Sequence, residues 1–219
     1  MGKLFVIEGL DGCGKTTQLE QLRLYFESHN LDSRFISFPD YEQPSSALVQ
    51  QYLKGDFGQV GDVSVYAASS FYAVDRYASF KKFWKEDYES GQLIIADRYT
   101  TSNAIYQTTG LSAEQREEYF RWLEHYEYDL LGLPKPDLVC FLDMPVEVSQ
   151  KMLSERYAGD NSKKDVHEKN VNFLHKCRET ALFAAGKMGW RIIPCSENGL
   201  PMPIETITDC LLKEIKTML

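Results

Sequence analysis

Five short apolar runs punctuate the chain: KLFVIE (3–8), SRFISF (33–38), QLIIAD (92–97), DLVCFL (137–142) and WRIIPC (190–195). Each is rich in β-branched or aromatic residues, and longer stretches of helical periodicity separate them. Continuous apolar runs suit strands buried on both faces, and their alternation with helices predicts a parallel sheet covered on both sides. The expected fold class is α/β, a three-layer α/β/α sandwich around a five-stranded parallel sheet. Leu19, Leu22 and Phe26 fall on one face of a helix over 16–29. A long helix is expected over about 64–89, stopped by Gly91, and another over about 113–131, stopped by Gly132 and then Pro134. Helices over 146–156 and about 167–188 flank a polar, charged interval at 157–166. An amphipathic helix over 203–218 has Pro203 near its start. No repeat, low-complexity tract or long linker breaks the pattern, so residues 1–219 are expected to form a single domain with a lid segment at about 155–168.

A chain of 219 residues is long enough to bury roughly 70% of its unfolded surface without staples. The five cysteines, Cys13, Cys140, Cys177, Cys195 and Cys210, are odd in number and lack CxxC spacing. Free thiols are expected, with neither a disulfide framework nor a zinc site. No stretch approaches the roughly 18 apolar residues of a membrane span, and the N-terminus runs straight into a motif that must be folded to work. A soluble, cytoplasmic protein without a cleavable leader is the expectation. A net charge of −8 disfavours a nucleic-acid polymer as partner, because such binding neutralises many phosphates with Lys and Arg. A small anion in a locally positive pocket remains compatible with it.

The candidate chemistry begins at once. GLDGCGKT (9–16) matches G-x-x-x-x-G-K-[ST] and stands between an apolar strand and an amphipathic helix, the setting that confirms a phosphate-binding loop. Its glycines let backbone N–H groups wrap the phosphates of ATP, so Gly9, Leu10, Asp11, Gly12, Cys13, Gly14, Lys15, Thr16 and Thr17 form the expected ATP site. Lys15 reaches the outer phosphates, and the Thr16 hydroxyl is placed to bind Mg²⁺.

Further along come FPDY (38–41), FYAVDRY (71–77), DRYTTSNAIY (97–106) and ERYAGDNSKKDVHE (155–168). With Asp11 in the phosphate loop, these segments resemble thymidylate kinases in order, spacing and placement over nearly the whole chain. Tyr72 and Arg76 are four apart on a predicted helix and share a face, so a ring that stacks on a base stands beside a guanidinium that donates to its carbonyl edge. The resemblance puts Phe in most relatives where this chain has Tyr72. It sets Phe38 and Pro39 against the base, at the end of the second strand where open α/β sheets bind ligands. Tyr41 stands where some relatives carry arginine to the acceptor phosphate.

Asp97 ends the third strand as a Walker-B-like carboxylate that organises Mg²⁺ or positions Arg98, and Arg98 is expected to clamp the acceptor phosphate. Asn103 and Tyr106 are expected by resemblance to face base and sugar, and Glu168 to approach the sugar or magnesium side. Relatives with arginine inside the phosphate loop supply transition-state charge there. This chain has Gly12, so the charge is expected from Arg156, helped by Lys163 and Lys164. The implied activity is ATP- and Mg²⁺-dependent phosphorylation of dTMP to dTDP by a homodimer. The competing readings are a deoxynucleoside kinase, which would need a carboxylate to take a hydroxyl proton, another nucleoside monophosphate kinase, and a noncatalytic nucleotide-binding module.

Overall fold

The structure is a computed structural model that describes residues 1–58, 61–156 and 171–219, with Arg156 described in its backbone alone. Lys163, Lys164, His167 and Glu168, and with them most of the expected lid, lie outside the described residues. Five of the strands form one sheet of order β2-β3-β1-β4-β5, with β1 at Lys3–Gly9, β2 at Ser33–Ser37, β3 at Leu93–Asp97, β4 at Leu138–Asp143 and β5 at Arg191–Pro194. Within this sheet every pairing with a described register is parallel, and Ser196–Glu197 and Leu200–Pro201 form a separate two-stranded antiparallel ladder. The chain divides into two compact units, one comprising Met1–Leu4 with Ser33–Asp137 and the other Phe5–Asp32 with Leu138–Leu219.

In the first unit β2 pairs with β3 from Ser33↔Leu93 to Ser37↔Asp97. Its helices are α2 (Ala47–Lys54), α3 (Val65–Ser79), α4 (Lys85–Ser90), α5 (Thr100–Tyr106) and α6 (Ala113–Glu124). Nothing in the apolar pattern announced α2. The helix expected over 64–89 does form, but as α3 and α4 joined by a π-helical turn at Phe80–Trp84. Ser64 caps its start by accepting the Ala67 N–H, and Gly91 ends it at φ 103°, a left-handed value that glycine reaches without strain. In the same way, α6 starts from a capping box between Ser112 and Gln115 and continues into a π-helical segment, His125–Leu130. Trp84, Ile94, Ile95, Tyr99 and Tyr119 fill the core of this unit with no exposed surface.

In the second unit β4 pairs with β1 on one side and β5 on the other. α1 (Lys15–Ser28) buries Leu22, Phe26 and Gln18, with Leu19 half-buried at the margin. The C-terminal helix α9 (Ile204–Lys216) lies against α1, where Thr208 donates to the Gln18 side chain at 2.8 Å and Gln18 donates to the Ile204 carbonyl at 3.1 Å. α7 (Val146–Arg156) and α8 (Val171–Met188) pack together, and α8 is tied to the end of β4 by a bidentate pair from Arg178 to Asp143 at 2.7 and 2.8 Å. All five cysteines are free, four of them buried and Cys210 partly exposed. Among the described residues no helix is long and apolar enough to cross a membrane.

Candidate active site

The phosphate loop belongs to the second unit and spans the turn from β1 to α1. Gly12 and Gly14 have φ of 74° and 92°, values that L side chains rarely adopt. Gly14 occupies the N-cap of α1, so no side chain caps the first N–H groups of the helix and no acidic residue stands in its first turn. Those donors and the positive end of the helix dipole are left for an anion.

Close packing fixes the loop from beneath. A Cβ on Gly9 would fall 2.6 Å from the Cys13 sulfur, and one on Gly12 would fall 2.8 Å from Cδ1 of Leu153. Lys15 is buried and its Nζ donates to the Gly9 carbonyl at 3.1 Å, so the ammonium is held over the loop. Leu10 and Cys13 are buried, Asp11 and Thr17 half-buried and Thr16 exposed. Glu8, which sequence reasoning passed over, is fully buried and accepts the Gly9 N–H at 2.9 Å. A lone glutamate at a strand end gives no sequence signal of that role.

The acceptor candidates belong to the first unit. Phe38 is buried, follows β2 with its N–H bonded to the Asp97 carbonyl at 3.0 Å, and joins Pro39 through a cis peptide. Tyr41 is 54% exposed. Pro39 and Tyr41 line an open groove of about 570 Å³ beside β2, together with Ser79, Phe83 and Trp84. The loop that carries them is pinned by buried Asp75, which accepts from the Asp40 N–H at 2.9 Å and the Ser45 hydroxyl at 2.6 Å.

Arg98 follows Asp97 in a left-handed conformation, φ 64°, a strained choice for a residue with a side chain and a frequent mark of functional sites. Its Nη1 donates to the Tyr106 hydroxyl at 3.2 Å and to Ser102 at 3.4 Å, and its guanidinium lies 5.3 Å from the Tyr106 ring centre. Tyr72 is half-buried; burial pushes its phenol above the usual tyrosine range, Tyr41 and Tyr52 add to the rise, and Arg76 and Arg98 oppose it. Tyr41, Arg76 and Arg98 are thus each within electrostatic reach of the Tyr72 phenol.

Two candidates are more deeply set than the sequence suggests. Asn103 is 1% exposed and donates to the Ser69 carbonyl at 3.2 Å, beside the Tyr119 hydroxyl to which it is also bonded. Arg76 is 1% exposed and makes a forked pair with fully buried Glu127, Nε to Oε2 at 2.7 Å and Nη2 to Oε1 at 2.5 Å, while Nη1 reaches the Tyr99 carbonyl at 3.4 Å. Burial works against the guanidinium charge, but the Glu127 carboxylate outweighs it and keeps Arg76 protonated. Burial pushes the Glu127 carboxyl up, with Arg76 opposing.

A glycine-turned loop between a parallel strand and an uncapped helix, within a sheet of this order, defines a P-loop protein that binds nucleoside triphosphate. The family model described as thymidylate kinase matches residues 7–199. The chain belongs to the thymidylate kinase family, and with it to the ATP-using phosphotransferases. It is 30% identical over 190 residues to the thymidylate kinase of Mycobacterium tuberculosis, covering 85% of this chain and 87% of that one. It is 27% identical over 212 residues to the thymidylate kinase of Prochlorococcus marinus, covering 95% and 92%. A solved thymidylate kinase from Candida albicans superposes with a TM-score of 0.69 at 25% identity, covering 99% of this chain and 92% of that one.

Proposed function

We propose that this protein transfers the terminal phosphoryl group of ATP to the phosphate of dTMP, giving ADP and dTDP. The observation that carries the reading is the cluster in which Arg98 is held by Tyr106 and Ser102 and lies in electrostatic reach of the aromatic Tyr72, in a chain whose other unit carries an uncapped phosphate loop holding Lys15. A guanidinium matches a phosphate acceptor and would be superfluous for an uncharged nucleoside. The second ionisation of a phosphate monoester, near a pKa of about 6, leaves dTMP largely dianionic at neutral pH. It is already a nucleophile, so Asp11 and Asp97 position groups and take no proton. The bond formed is from a dTMP phosphate oxygen to the γ-phosphorus. The bond broken is from that phosphorus to the β–γ bridging oxygen, which leaves on ADP.

Lys15, Arg98 and the lid cations offset the repulsion between the two anions, and their alignment supplies most of the catalysis. Arg156, at the last position of α7, is the proposed source of transition-state charge, with Lys163 and Lys164 assisting. Phe38, Pro39, Tyr72, Arg76 and Asn103 take the base, Tyr106 and Glu168 the sugar side, and Tyr41 the edge of the acceptor phosphate.

Among the described residues no three His, Cys, Asp or Glu side chains cluster as a metal cage, while the Thr16 hydroxyl is exposed in the first turn of α1. These donors suit Mg²⁺, which takes few protein ligands and relies on phosphates and water; Thr16 and Asp97 would hold it, and bound there it neutralises charge on the phosphates of ATP. We further read residues 1–219 as one catalytic domain, cytoplasmic and acting as a homodimer.

A coupled ATP-to-ADP assay across dTMP, dUMP, dCMP, dGMP, AMP and thymidine tests the reading. The expected result is fastest turnover with dTMP and none with thymidine; faster turnover of thymidine or a purine monophosphate than of dTMP overturns it.

A further inference from the structure

Glutamate is almost never fully buried unless it is paired, and Glu127 is buried completely against one partner, Arg76, 51 positions away in sequence. The carboxylate sits four residues beyond buried Leu123, on the inward side of a helix where an apolar residue would pack, and within the π-helical segment His125–Leu130. Replacing a buried ion pair with well-packed apolar side chains is often neutral or stabilising, so stability alone gives no reason to keep this one. Short π-helical stretches within helices also concentrate at functional sites.

The geometry says what the pair does. Both oxygens of Glu127 are engaged, by Nε and Nη2 of Arg76, and Nη1 donates to the Tyr99 carbonyl. The planar fork is therefore fixed in one orientation, with part of its donor set uncommitted to these two partners. Tyr72 lies one turn earlier on α3, with its phenol in electrostatic reach of the Arg76 charge. A guanidinium donates and cannot accept, so the edge it meets must present a carbonyl oxygen and not an amino group.

We propose that Glu127 is a positioning residue of the acceptor site: by clamping Arg76 it aims the remaining guanidinium N–H groups at the base and selects a pyrimidine with a 4-carbonyl over one with a 4-amino group. The inference rests on the reading that Arg76 meets the acceptor base. Glu127 itself touches no substrate. Tyr128, its neighbour, bonds Thr100 at 2.5 Å and braces the segment against α5, so the aim of the clamp is tied to the helix that follows Arg98.

The test is steady-state kinetics of wild type, Glu127→Gln and Glu127→Asp with dTMP, dUMP and dCMP, with melting curves as the folding control. For Glu127→Gln the expected KM for dTMP rises on the order of tenfold or more, as for loss of a charge-assisted hydrogen bond. kcat and the KM for ATP should change little, and the preference for dTMP over dCMP should shrink. Glu127→Asp keeps the charge but loses one of the two contacts and should fall between. If Glu127→Gln does not fold, the same quantities in Glu127→Asp decide. A folded variant in which both KM values move together, or neither moves, overturns the role of Glu127. Wild-type enzyme that prefers dCMP or a purine monophosphate overturns the dTMP reading itself, so the two failures are distinguishable.

Discussion

Asp40 carries a charge that folding penalises. Burial raises its carboxyl above the ordinary value, the carboxylates of Asp75 and Glu42 add to the rise, and a backbone hydrogen bond opposes it. The folded chain therefore binds this proton more tightly than the unfolded chain, and its contribution to stability falls as pH climbs from the ordinary value of 3.8 through the raised one. Asp40→Asn keeps the backbone N–H that Asp75 accepts and removes the charge. Its Tm should exceed that of wild type at pH 7, and the gain should vanish at about pH 3, below the ordinary Asp value. A gain independent of pH, or a lower Tm at pH 7, contradicts the account. Residues such as Asp40, Asp75 and Glu127 were not legible in the sequence because each acts through a partner brought by the fold. Glu127 reads as one more solvated charge among His125, Glu124 and Asp129 until Arg76 is seen against it. Lys15 and Arg98 were legible because their neighbours in sequence define them.

At the level of the element, α7 and the phosphate loop constrain each other through Gly12 and Leu153. A methyl group at position 12 would meet Cδ1 and Cγ of Leu153 at 2.8 and 2.9 Å, on a backbone with φ of 74°. Gly12→Ala should cost about 1–2 kcal/mol for the left-handed conformation alone, with the collision added. Leu153→Ala removes the collision and leaves the backbone cost, so Gly12→Ala/Leu153→Ala should be less destabilised than the sum of the single variants in denaturant melts. Strict additivity would mean that the two residues do not meet. The strands were legible because buried parallel strands are apolar throughout, and all five form within a residue or two of their expected limits. The π-helical turns were not, since an α-helix and a π-turn share nearly the same periodicity over a few residues. α2 was missed because the stretch ALVQQYLK is short and mostly exposed, with only Val49 buried.

For the whole molecule, ligand binding and folding are linked. ATP binds the folded loop and not the unfolded chain, so saturating nucleotide raises stability by mass action, about 2.7 kcal/mol at a concentration of 100 Kd. Lys15→Ala should abolish turnover and lose most of that ATP-dependent rise in Tm, while melting close to wild type without nucleotide, because the lysine's hydrogen bond is to the nearby Gly9 carbonyl. A variant that keeps near wild-type kcat would show that Lys15 has another role. The burial of the thiols has a practical corollary for following such events. Cys13, Cys140, Cys177 and Cys195 are sealed in the interior, and Cys210 on α9 is the one thiol within reach of solvent. Native chain thus offers a single attachment point for a fluorophore or spin label, on the helix that packs against α1, and nucleotide capture can be watched without engineering a cysteine.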